Sequence, residues 1–219
     1  MKKPRLAAAF SLRTVPSGRR RERSPALGWV LSPQAHPMTT HVPTRRDHVR
    51  QMAAYNRWMN DKVYAAAATL APEEIMADRG AFFGSVHGTL THIAVADMIW
   101  LQRFADHPAR HAALDPVRGL PIQRDLAAQP FGDLASLTAH RRFLDGVISA
   151  WADAVTEEDL DHALAYANTR GERFRKPYFY LIMHFFNHQT HHRGQVTTLL
   201  TQASVDVGAT DLSGLIATV

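Results

Sequence analysis

Four histidines fall within nine positions of the run HFFNHQTHHRGQV, at His184, His188, His191 and His192, with no proline to interrupt a helix. His188 and His192 are four apart, which on a 3.6-residue helix stacks them on one face roughly 5–6 Å apart, close enough for two imidazoles to share one metal ion. His184 lies one turn earlier on the same side. A buried face carrying several imidazoles is costly unless each lone pair finds a partner, and a transition metal satisfies several at once. Two ligands leave the shell incomplete, because a catalytic zinc takes three protein ligands plus water. A protease of the HExxH type is disfavoured, since Gln189 stands where that mechanism needs a glutamate base.

A third ligand has to come from another element. The segment GSVHGTLTHIAVADMIWLQRF, residues 84–104, reads as a second helix: Ser85 can cap it, and Val86, Leu90, Ile93, Ala94, Leu101 and Phe104 recur at helical spacing. Its histidines, His87 and His92, are five apart and project about 140° from each other, so only one can face a shared site. Asp97, five residues after His92, points elsewhere and reads as structural.

Two further helices are needed to bury these faces. The first helix is expected over about Arg45 to Leu70, with Val49, Met52, Ala53, Trp58, Met59, Val63 and Ala67 as its apolar stripe. Tyr55, Asn56 and Trp58 read as packing residues of that helix. A third runs over about Asp133 to Val155, with Asp133 as its cap, and the fourth over about Pro177 to Ala203. Residues 106–131, rich in Pro and Ala, are too long for a tight turn and are expected to form a lid or pocket wall. The alternation in ALAYANTRGERFRK around Arg170-Gly171 predicts a short β-hairpin before the last helix. The fold class expected is all-α, a four-helix bundle with ligands projecting inward from facing helices.

The motifs YNRWMN (Tyr55 to Asn60), GTLTHIAVADMIWL (Gly88 to Leu101) and NHQTHHRGQV (Asn187 to Val196), in that order, resemble the DinB-like metal-binding four-helix proteins. The likeness covers most of residues 44–219. It implies the family fold and a metal held by His92, His188 and His192, whereas His184, His87 and His191 match no ligand position. It also implies a possible role for a low-molecular-weight thiol, because some relatives transfer such thiols using a metal. Near the ligands, Asn187, His191, Arg193 and Gln195 are candidates to support the site or contact substrate. An arginine such as Arg193 can equally brace the helices.

Three neutral imidazoles leave a divalent ion at its full charge with an open position, suited to acidifying a bound water or thiol. The function expected is therefore a metal-dependent enzyme, a small-molecule thiol transferase or a hydrolase. The alternative is a non-catalytic, stress-associated metal-binding bundle. Zinc is the default ion, with nickel, manganese or iron also suited to imidazole ligation.

Charge narrows the partners. Residues 1–37 hold eight of the chain's 25 Lys and Arg but only one of its 20 acids, a balance of +7, leaving 17 basic against 19 acidic in the remaining 182 residues. The basic character thus belongs to a tail, and residues 38–219 offer no electrostatic footprint for nucleic acid. The tail, rich in Arg, Ser and Pro, reads as disordered. It fits a transit-like peptide, a nucleic-acid arm, or translated sequence upstream of a start at Met38. The last is favoured because Thr44 with Asp47 forms a capping-box pattern just beyond. The longest uncharged run of the tail, Leu6 to Leu12, is too short for a membrane span. The absence of cysteine excludes disulfides and Cys-ligated zinc and fits a cytoplasmic protein. The partners expected are a small-molecule substrate and a second copy of the chain in a homodimer, with no nucleic acid and no membrane.

Overall fold

The computed structural model describes residues 42–123 and 125–218. The reading of residues 1–37 as a disordered tail, and of Met38 as a start, lies outside the described residues. The capping box lies within them: the Asp47 amide donates to Thr44 Oγ1 at 3.2 Å and the Thr44 amide donates to Asp47 Oδ2 at 3.0 Å. Two orphan donors of the first turn are satisfied there.

The chain is mostly helical with one small antiparallel sheet. Helix α1 spans Arg45–Ala67 and a short α2 spans Pro72–Met76, so the first expected helix ends a turn before Leu70 to allow Pro72 to open the next element. Helix α3 spans Val86–Phe104, a short α4 spans Asp115–Arg118, and α5 spans Leu134–Ala154. After α6 (Glu157–Leu160) come strands β1 (Ala163–Ala167) and β2 (Arg173–Pro177), then α7 (Tyr178–Gln202). The strands pair antiparallel with Ala163 opposite Pro177, as the alternation around Arg170-Gly171 predicts. Gly171, at φ +85°, takes the left-handed conformation that the turn needs.

Helix α1 packs against α5 and α7, and α3 packs against the same two. In α3 every residue except Trp100, Gln102 and Arg103 is buried, which marks it as the central helix. Its start is set by Ser85, whose Oγ accepts from the Gly88 amide at 2.9 Å. At Gly88 a Cβ would overlap the Phe83 carbonyl oxygen, so only glycine lets the preceding loop lie this close to the helix.

The interior has two kinds of layer. Toward the hairpin, Phe104, Trp151, Tyr178 and Phe185 meet as an aromatic cluster, with Trp151 Nε1–H donating to the Tyr178 hydroxyl at 3.1 Å. Further along, Arg141 of α5 is buried between Asp97 of α3 at 2.5 Å and Asp145 of its own helix at 3.0 Å. Asn56 and Asn60 of α1 donate to Asp145, and Arg193 of α7 donates to Asn56. One polar network therefore ties all four long helices. Asp97 has the structural role its helical position suggests. No helix among the described residues is long and apolar enough to cross a membrane.

Candidate metal centre

Packing α3 beside α7 brings His92, His188 and His192 together. Their ring centroids lie 5.1 Å (His92–His188), 4.5 Å (His92–His192) and 4.4 Å (His188–His192) apart, and one nitrogen of each falls within 4.8 Å of the other two. His92 is buried, while His188 and His192 stay partly exposed. The site thus has a dry side on α3 and a wetter side on α7.

Hydrogen bonds determine which nitrogens are free. The Nδ1–H of His92 donates to the Leu126 carbonyl at 2.9 Å, and the Nδ1–H of His192 donates to Gln195 Oε1 at 2.7 Å. Each bond fixes its ring as the tautomer with a bare Nε2 lone pair, the arrangement that metal-binding histidines adopt. His92 Nε2 and His188 Nε2 stand 3.2 Å apart. Two nitrogens each about 2.0–2.1 Å from a tetrahedral ion would stand roughly 3.3 Å apart, so the donor set fits a divalent transition metal.

Burial favours the neutral rings that ligation needs. It pushes His188 down to about 3, helped by the neighbouring His192, His92, His184 and His191. Burial likewise lowers His92 against the opposing Leu126 hydrogen bond, and lowers His192 against that of Gln195.

The other candidate residues are placed differently. Gln195 is bonded to His192 and its Nε2 lies 3.4 Å from His191 Nε2. His191 and Asn187 are exposed near the middle of α7, four residues apart and so on one side of it. Arg193 turns inward, buried, with Asn56 and Asn60 as acceptors and the Tyr55 ring beneath its guanidinium. His184 packs on Trp100, its ring 6.0 Å from that of His188, and buried His87 faces Thr91; neither joins the converging set.

Two contributors have no signature in the sequence. Phe83, in the loop that Gly88 admits, stacks on the His92 ring at 3.8 Å and 17° and meets His192 edge-on at 5.5 Å. The Leu126 carbonyl comes from the long connection between α3 and α5, which therefore forms a wall of the site. Neither a loop phenylalanine nor a main-chain carbonyl is distinguishable by residue type.

A mostly helical protein with imidazoles from two adjacent helices converging on one point defines the class. The chain belongs to the DinB family, whose model matches residues 38–217. Among curated proteins it is similar to Protein DinB of Bacillus subtilis (strain 168), with 24% identity over 166 residues, covering 75% of this chain and 91% of that protein.

Proposed function

We propose that the chain is a metal-dependent enzyme, folded as a four-helix bundle, in which His92, His188 and His192 hold one divalent transition ion. The observation that carries this reading is the convergence of three neutral imidazoles, two of them with Nδ1 already engaged so that Nε2 faces the centre. Zinc is the first expectation, and nickel, manganese and iron suit the same donors. When bound, an ion held only by neutral ligands supplies a strong lowering of the pKa of a coordinated water or thiol.

The protein's own part is orientation and exclusion of water. Gln195 and the Leu126 carbonyl fix two of the rings, and Phe83 covers one face of His92. His191 and Asn187, at the exposed rim, are suited to contact substrate. Arg193 acts from inside by bracing α7 against Asn56 and Asn60. The substrate proposed is a small electrophile, with water or a low-molecular-weight thiol as nucleophile. Because the chain has no cysteine, a thiol has to come from outside.

A coordinatively closed, structural ion would need a fourth protein group. The two nearest histidines are engaged elsewhere, His184 against Trp100 and His191 beside Gln195, which supports an open position. The test is the cobalt-substituted protein: azide, cyanide or a thiol should change its visible spectrum. Indifference to all three, with a four-nitrogen shell by X-ray absorption, overturns the enzymatic reading. His188→Ala and His192→Ala should each strip metal sharply while His184→Ala does so much less; equal loss in all three would reject the ligand set.

A further inference from the structure

A second convergence of ligand groups lies at the far end of α3. His107 follows that helix by three residues, so it stands about 20 Å along the axis from His92 at 1.5 Å per residue. Its amide donates to the Phe104 carbonyl at 3.0 Å, closing the helix. The chain then folds back through Pro108 and Arg110, and Arg110 takes φ +44°, an unfavourable conformation for a residue with a Cβ. That turn returns His111 to lie parallel to His107, rings 6.0 Å apart at 16°. Asp159 of α6 completes the group, and one ligand atom from each residue falls within 4.8 Å of the others.

Ordinary hydrogen bonding leaves this cluster incomplete. His107 is 3% exposed; the Asp159 main chain offers its ring an acceptor that is poorly aligned with Nε2, and the Asp159 carboxylate adds a favourable charge nearby. The buried Nε2 of His111 stands 3.3 Å from Asp159 Oδ2, also without hydrogen-bond alignment. A spacing near 3.3 Å between two donor atoms is what a shared tetrahedral ion requires. Asp159 Oδ2 accepts from the amide and hydroxyl of Thr156, each at 2.8 Å, which orients the carboxylate as ligating carboxylates are oriented elsewhere. Buried nitrogens with poorly aligned partners are costly, and the left-handed turn at Arg110 brings His111 beside His107.

We propose that His107, His111 and Asp159 form a second site for a divalent transition-metal ion, distinct from the His92, His188, His192 centre. The ion would be bound by two imidazole Nε2 atoms and a carboxylate oxygen, and would clip the connection after α3 to α6. Binding moves one proton: His107 Nδ1 now accepts from the Ala109 amide at 3.2 Å, so the ring's hydrogen sits on Nε2. When Nε2 takes the ion, that hydrogen passes to Nδ1 by way of solvent, and the Ala109 amide must turn away.

Zinc titration of the metal-free full chain against a chromophoric chelator tests the site. Wild type should take up two equivalents. The His188→Ala, His192→Ala double variant should retain one, which His107→Phe then removes; phenylalanine keeps a ring on Tyr178, 4.6 Å away in wild type, and deletes both nitrogens, the ligand atom and the Ala109 acceptor. His111→Gln, at a half-buried position, repeats the test should His107→Phe fail to fold, and should weaken the retained zinc by about tenfold or more. Zinc should also shift the Ala109 amide resonance in the double variant. If the retained zinc disappears with His184→Ala and His191→Ala but survives His107→Phe and His111→Gln, the proposal is wrong. A double variant that binds no zinc also overturns it. Because the double variant lacks the first centre, failure of that centre would leave this count unchanged.

Discussion

Gln195 Oε1 accepts from His192 Nδ1 at 2.7 Å, one helical turn along α7, so the last helix supplies both an imidazole and the group that sets its tautomer. Partners of this kind contribute about 10–100-fold to metal affinity. Gln195→Leu should therefore weaken zinc binding by about that factor without unfolding the helix, whereas Gln195→Glu should retain or strengthen it. Chelator competition measures both, and equal affinities for all three proteins would show that Gln195 has no such role.

Gly88→Ala sets two effects against each other. Alanine in a helix gains about 1 kcal/mol over glycine, but the new methyl group would overlap the Phe83 carbonyl oxygen, and overpacking costs about 1–3 kcal/mol. Displacing that loop also pulls the Phe83 ring off His92. The variant should melt lower and bind metal less tightly. A raised melting temperature with unchanged affinity would show that the loop yields without cost.

Arg141→Met should be among the most damaging core substitutions. It leaves Asp97 and Asp145 buried without their cation, and breaking a buried pair this way costs about 3–5 kcal/mol. Burial alone already raises Asp97, and Arg141 opposes that shift. Adding Asp97→Asn to Arg141→Met should recover part of the loss. Strict additivity in denaturant unfolding would mean the two residues are not coupled.

What the sequence reveals and conceals follows from the range of the interactions. Thr44, Ser85 and Asp133 cap their own helices through bonds three residues away, so the starts of α1, α3 and α5 are legible from neighbouring letters. The meeting of His92 with His188 spans two elements, and spacing alone narrows it only to His87 or His92; the family motif makes the choice. Asn56 and Asn60 share a buried face with Met59 and Val63, yet as polar residues they carry no apolar signal, and their partners Asp145 and Arg193 lie far along the chain. His107 and His111 are four apart like His188 and His192, but Pro108 denies them a helix. A left-handed residue, Arg110, achieves by a turn what the helical period does in α7.

His140 offers a pH test away from both histidine centres. It packs between Phe131 and Phe143, and burial first, then the adjacent Arg141, holds it below its ordinary 6.5. The folded state thus takes up this proton at lower pH than the unfolded state does. Its cost is absent well above 6.5 and grows as pH falls below it, so stability declines toward acid. His140→Phe should lose less stability than wild type between about pH 7 and about pH 5, measured by urea unfolding in chelator. Identical declines would assign the acid sensitivity elsewhere.

The bond from His92 Nδ1 to the Leu126 carbonyl couples the candidate metal centre to the long connection between α3 and α5. An ion on Nε2 draws electron density from the ring and makes the Nδ1–H a better donor, so ligation should tighten the hold on Leu126. The neighbouring turn is held by the Ala127 amide on Asp125 Oδ1 at 2.8 Å and the Ala128 amide on the Asp125 carbonyl at 3.2 Å. Adding zinc to the metal-free protein should therefore slow amide exchange at Ala127 and Ala128 more than at α5 residues of similar exposure. His188→Ala should abolish that difference, since it removes the ion while leaving the His92 to Leu126 bond in place. Slowing that is uniform across the chain would show instead that zinc stabilises the fold globally and that this connection takes no special part.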